Sequence, residues 1–141
     1  MHLSSVIPTG LIVESVTEDE AAIAVSARAG AGRRSCPLCG AWSSRVHSRY
    51  VRTASDLPCA GKRVELHLIA RRFVCDAPRC RRRIFAERFE CDVIAAWSRR
   101  ASRLECVVHH LGLALGGRPA AGLARRLMVP VSNDTLLTEA E

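Results

Sequence analysis

Cys36-Pro37-Leu38-Cys39-Gly40 and Cys75-Asp76-Ala77-Pro78-Arg79-Cys80 are the two stretches that decide the fold. A CxxC and a CxxxxC each close a tight loop that can turn two thiolates toward one ion, and four such sulfurs fill the tetrahedron of a structural zinc site. Gly40 lets the backbone bend sharply after the first pair. Cys36, Cys39, Cys75 and Cys80 are therefore the expected Zn2+ ligands. Four thiolates leave no open position for water, so the ion is expected to hold a fold and not to perform zinc chemistry. Of the seven cysteines, Cys59, Cys91 and Cys106 fall outside the pairs and read as small buried or half-buried apolar side chains in a reducing compartment.

Working outward, Val64, Leu66 and Leu68 alternate with Glu65 and His67, and the run continues through Phe73 into Cys75, which predicts a strand entering the second pair. A short strand within 82–89, around Ile84-Phe85, leaves it. Residues 43–52 are polar and basic, with Val46, Tyr50 and Val51 as inward positions, and Leu57-Pro58 with Gly61 breaks the chain before the next strand. Strands feeding two metal-binding turns make a zinc ribbon, a small sheet that depends on its ion. Upstream, residues 11–27 form two β-rich runs around Thr17-Glu18-Asp19-Glu20, a hairpin, followed by the linker Ala29-Gly30-Ala31-Gly32.

Beyond Trp97 the period changes. Leu104, Val107, Val108, Leu111 and Leu115 share one face of a helix expected to start from Ser98 as its cap and to stop at Gly116-Gly117. A second helix is expected from about Pro119 through Leu127, ended by Met128-Val129-Pro130-Val131. Ser132 sits where an N-cap belongs and opens a third, with Leu136 and Leu137 inward. The fold class is thus α+β: a hairpin and linker over 1–32, a β-rich zinc ribbon over 33–92 and a three-helix helix-turn-helix segment over 93–141.

The 141 residues carry a net charge of +7. All 21 basic residues lie between Arg28 and Arg126, against seven acids in the same span, so that region holds +14. Twenty of the 21 are arginine, whose planar fork grips a phosphate or a guanine edge with two parallel hydrogen bonds. A polyanion, most simply duplex DNA, is the expected partner. Arg81-Arg82-Arg83 could follow a phosphate backbone, Arg125-Arg126 another stretch of it, and Ser132, Asn133 and Thr135 open the helix that would face base edges. Trp42, Trp97 and Tyr50 could stack on bases but are expected in the core, His47 in packing or phosphate contact, and His109 and His110 at or near the surface. No apolar run is long enough to cross a membrane, and residues 1–10 lack the basic start of a signal peptide. A cytoplasmic protein is expected.

Read in order, Cys36-Pro37-Leu38-Cys39-Gly40, His47-Ser48-Arg49-Tyr50, Asp56-Leu57-Pro58, Gly61, Arg71-Arg72-Phe73-Val74-Cys75, Cys80 and Ile84-Phe85-Ala86-Glu87 resemble the zinc-ribbon segment of bacterial insertion-sequence transposases of the ISL-three group. The stretch from Leu113-Ala114-Leu115-Gly116-Gly117 through Ala124-Arg125-Arg126-Leu127 to Val131-Ser132-Asn133-Asp134-Thr135-Leu136-Leu137 is similar to the helix-turn-helix of the same group. The resemblance implies that the four cysteines ligate zinc and that the module binds the terminal inverted repeats of a mobile element. In that family a large domain with a DDE acid triad follows. No such domain is expected within this chain, and hence no enzyme. Two departures stand out: Met128 occupies a turn position where relatives usually have Gly, and Thr138-Glu139-Ala140-Glu141 replaces the arginines that extend the recognition helix. Alternatives to a transposase DNA-binding module are a stand-alone regulator that occupies the element's ends and works against the full-length transposase, and an adaptor that contacts protein through its acidic hairpin.

Overall fold

The computed structural model describes residues 7–129 and 131–138. The expected inward placement of Leu137 concerns a side chain outside the described set, as do Pro130 and the acidic end Glu139-Ala140-Glu141.

The chain begins with the expected hairpin, β1 (Leu11–Glu18) and β2 (Ala22–Ala29), paired antiparallel. Asp19 makes its turn: one carboxylate oxygen accepts the N–H groups of Ala21 and Ala22, both at 2.8 Å, an Asx turn that leaves the next strand free to start. These bonds hold the Asp19 carboxyl below its usual range. The hairpin shares a sheet with the strands downstream. After β3 (Arg34–Ser35) and β4 (Trp42–Ser43), which pair around the first cysteine loop, come the long strands β5 (Val46–Cys59) and β6 (Lys62–Val74), then β7 (Ile84–Ala86). The order is β1-β2-β6-β5, with β2 parallel to β6 and β7 antiparallel to the end of β6.

Leu57-Pro58 does not break the chain. Both lie within β5, where the register shifts between Asp56 and Cys59, and a bulge is a place where a strand tolerates proline. The turn itself is Ala60-Gly61, at φ 50° and 74°, the two left-handed positions of a tight two-residue hairpin whose twist matches its strands.

One face of the sheet carries Val25, Ala27 and Ala29 of β2, Val64, Leu66, Leu68 and Ala70 of β6, and Ala54 of β5. Phe89, Val93, Ile94 and Ala101, from the segment after β7, complete this core. Two polar side chains on the same face of β5 fasten what crosses it. Arg52 donates to the carbonyls of Ala95 and Ser98 at 2.8 and 2.6 Å, and the fully buried Asp56 carboxylate accepts from Arg103 at 2.7 Å. Val51, expected inward, is exposed: on β5 the inward parity belongs to Tyr50 and Ala54.

The helices are α1 (Ser102–Leu115), α2 (Gly117–Arg126) and α3 (Asn133–Thr138). Ser98 does not cap α1. Residues 99–101 instead run along the free edge of β5, Ser55 bonding to Arg99 and Ala101 at 2.9 and 2.8 Å, and the helix starts only after Ala101. Gly116 alone separates α1 from α2, Gly117 already being helical. Leu104, Val108 and Gly112 are the buried row of α1, whereas Val107 and Leu115 are exposed, because the helix meets its neighbours along a single i, i+4 row. With Ala120, Ala124, Val129 and Leu136 that row makes a second core.

α2 ends in a Schellman arrangement, Val129 N–H to Ala124 O at 2.8 Å and Met128 N–H to Arg125 O at 3.1 Å. Met128 stands at its left-handed position, φ 59°. Ser132 caps α3 as expected, accepting the Thr135 N–H at 3.2 Å. Trp42 and Trp97, expected in the core, are exposed. Trp42 is on the outer side of β4 under the Arg33 guanidinium, 5.1 Å away, while its neighbour Ser43 turns inward.

Candidate metal centre

Two loops and two strand ends build the centre. The first loop closes with Gly40 N–H to Cys36 O at 2.8 Å, Gly40 being at φ 77°, and Cys36 N–H reaches Ala41 O at 2.8 Å. The second follows β6: Cys80 N–H bonds to Ala77 O at 3.1 Å and Cys75 N–H to Arg83 O at 2.9 Å. Ser43 Oγ donates to Val74 O at 2.6 Å and Val74 N–H to Arg45 O at 2.9 Å, so the two loops are tied at their bases. Phe73 and Phe85 stack with centroids 5.7 Å apart beneath the sulfurs and bury Cys36, Cys75 and Cys80 in a third core.

The four Sγ atoms lie within 4.8 Å of one another, with Cys36–Cys80 at 3.9 Å and Cys39–Cys75 at 3.6 Å. Zn–S bonds of ~2.3 Å at tetrahedral angles set neighbouring sulfurs ~3.8 Å apart. The observed separations bracket that value and are far beyond the ~2.05 Å of a disulfide. All four thiols are free, as are the three outside the pairs, of which Cys59 is half-buried as expected while Cys91 and Cys106, expected buried or half-buried, are exposed. Residues 32–80 match the family model for the zinc-finger of transposase IS204/IS1001/IS1096/IS1165. No curated protein and no solved structure matches the chain. The match spans all four cysteines, and with their convergence it makes the centre a zinc site.

Backbone amides tune the ligands. Burial raises the Cys36 thiol, but the N–H groups of Cys39 and Leu38, with the Cys75 and Cys39 thiols, outweigh it and bring it down to about 7. At Cys75 the Ala77 N–H lowers the value, yet burial and the neighbouring thiols push it up to about 12; Cys80, buried beside the same thiols, is also raised. The Cys36 thiolate thus forms readily while Cys75 and Cys80 resist joining it, the behaviour of like charges crowded without a cation. Zinc removes the conflict by replacing the protons.

The basic candidates flank this zinc-finger and the helices. Arg81, Arg82 and Arg83 are exposed on the loop just after Cys80 and, with Arg79, have no carboxylate partner among the described residues. Arg125 and Arg126 are exposed on the last turn of α2. Ser132 is exposed, and Asn133 and Thr135 are half-buried on α3; the Ser132 and Thr135 hydroxyls are 2.8 Å apart within the cap. The four cysteines converge on one point, whereas the arginine and α3 candidates belong to different elements. His47 is exposed on β5 with its Nδ1 3.2 Å from Ser48 Oγ, and His109 and His110 are exposed on α1. Arg118 went unmarked in the sequence although i, i+7 and i+8 spacing puts it on the face of Arg125 and Arg126. Glu87 reads in the sequence only as part of a motif, and its role was not foreseen there. Its fully buried carboxylate accepts from Arg71 Nε at 2.9 Å and Arg34 Nε at 3.1 Å, tying β6 to the strand that enters the first cysteine loop.

Proposed function

We propose that this chain is the DNA-binding portion of an ISL-three-type insertion-sequence transposase, seated on the terminal inverted repeats of its element and without catalysis of its own. The observation that carries the reading is the four-sulfur centre inside the matched segment, with Arg79, Arg81, Arg82 and Arg83 at its edge without carboxylate partners among the described residues. Zinc supplies rigidity there: a closed thiolate set fixes the turn after Cys80, and hence the arginines, against a phosphate backbone. α2 and α3 would act as a helix-turn-helix. The face of α2 with Arg118, Arg125 and Arg126 would follow the backbone while the start of α3, at Asn133 and Thr135, approaches base edges.

Strand transfer needs carboxylates that hold divalent cations. The buried carboxylates of the described residues, Asp56 and Glu87, are both gripped by arginine, and the one cluster of three or more metal-type side chains among the described residues is the cysteine set. Neither fits that chemistry.

The test is titration of the zinc-loaded chain with a duplex of the inverted repeat across salt concentrations. With six to ten phosphate contacts, affinity falls roughly a thousandfold or more from low to moderate salt. The R81A/R82A/R83A variant should bind more weakly and with a shallower salt slope. Absence of duplex binding, or binding indifferent to salt, overturns the reading.

A further inference from the structure

Three described non-glycine residues have positive φ. Ala60 serves a hairpin turn and Met128 a helix end, but Trp97, at φ 66°, spends backbone strain on a side chain that is 90% exposed. Bulky residues in that region are outliers, and the exposed Trp97 side chain gains no burial to offset the strain. The turn is closed by Ser98 N–H to Ala95 O at 3.2 Å and hung from β5 by the two bonds of Arg52. Position i+2 of such a turn usually holds Gly or Asn. The strain aims an indole outward from a rigidly held loop.

Beside it runs a groove of about 560 Å³. Tyr50 lies in it with the Arg72 guanidinium 4.4 Å from its ring centroid, and Phe89 lines its floor. Arg88 and Arg99 line its edges, exposed and without carboxylate partners among the described residues. The carboxylate of Glu87, which also lines it, is turned away into Arg71 and Arg34. An exposed aromatic, an apolar slot and free guanidinium groups together match the requirements of a flat, apolar-faced ring attached to a phosphate.

The geometry points to a second nucleic-acid site: Trp97 and the Tyr50 groove hold an unpaired nucleobase of single-stranded DNA by stacking, with Arg88 and Arg99 on its flanking phosphates. The site rests on the proposed DNA-binding function and adds a preference for unpaired bases that the zinc-finger and α3 do not supply.

The test uses the full zinc-loaded chain carrying W42F, which leaves Trp97 as its single indole. A thymidine single strand and a fully paired inverted-repeat duplex are titrated in parallel. Stacking predicts that the single strand quenches Trp97 emission by about half and that W97A weakens single-strand binding about tenfold, with duplex affinity held within about twofold. W97G relieves the turn and keeps the fold, so it should lose the single strand equally, which separates stacking from unfolding. Duplex binding with Trp97 emission unmoved by saturating single strand, or an equal effect of W97A on both DNAs, overturns this site alone. Binding to neither DNA overturns it together with the proposed function.

Discussion

Glu87 shows how one residue can secure the metal end. Burial works against its charged form, but hydrogen bonds from Arg71 and Arg34 outweigh burial and hold the carboxyl below its ordinary value of 4.5; the same contact raises Arg71. A carboxyl with a lowered folded pKa contributes stability that is complete above the unfolded value and lost as pH falls through the folded one. E87Q should therefore cost about 2 kcal/mol at neutral pH, by leaving the half-buried guanidinium groups of Arg71 and Arg34 without their carboxylate. Its deficit against the wild type should shrink in acid, where both side chains are neutral. Urea melts along a pH series measure this, and a deficit that stays constant into acid contradicts it. The four cysteines were legible in the sequence because a chelate is written in short spacings. Glu87 was not, because it meets Arg71 across sixteen residues, a proximity set by the β6–β7 register.

At the scale of elements, β1, β2, β6 and β7 and the three helices announced themselves by period and by turn chemistry, and Ser132 by its capping position. The misreadings came from tertiary pairing. Ser98 has the chemistry of a cap, but the edge of β5 captured the next three residues; Pro58 has the chemistry of a break, but a bulge absorbed it. Met128 holds the left-handed position of the α2 C-terminus, φ 59°, where Gly is the usual residue. Gly112 was invisible to pattern because its role is absence: a Cβ there would lie 2.8 Å from the Leu136 carbonyl oxygen. G112A should force α1 and α3 apart and destabilise the helical core by about 1–3 kcal/mol. A lowered midpoint with loss of helical circular dichroism is the expected result, and an unchanged midpoint contradicts the close approach.

At the scale of the whole molecule, the described residues form three cores: the sheet face, the helical cluster and the sulfur-phenylalanine cluster. The sequence treated the hairpin and the ribbon as successive segments. The parallel pairing of β2 with β6 could not be read locally, since it joins strands separated by the first cysteine loop and β5. It also changes what zinc removal should do. The sheet core lies apart from the sulfurs, so chelation should raise amide exchange in residues 34–45 and 75–83 while β2, β5 and the start of β6 stay protected; loss of protection throughout would show that the ion holds the entire fold. The claim beneath all of this is the identity of the centre, and zinc-edge X-ray absorption on the metal-quantified protein tests it most directly. One zinc per chain with four sulfurs at about 2.3 Å is the predicted result, and a protein without zinc, or a shell containing nitrogen or oxygen donors, would contradict it.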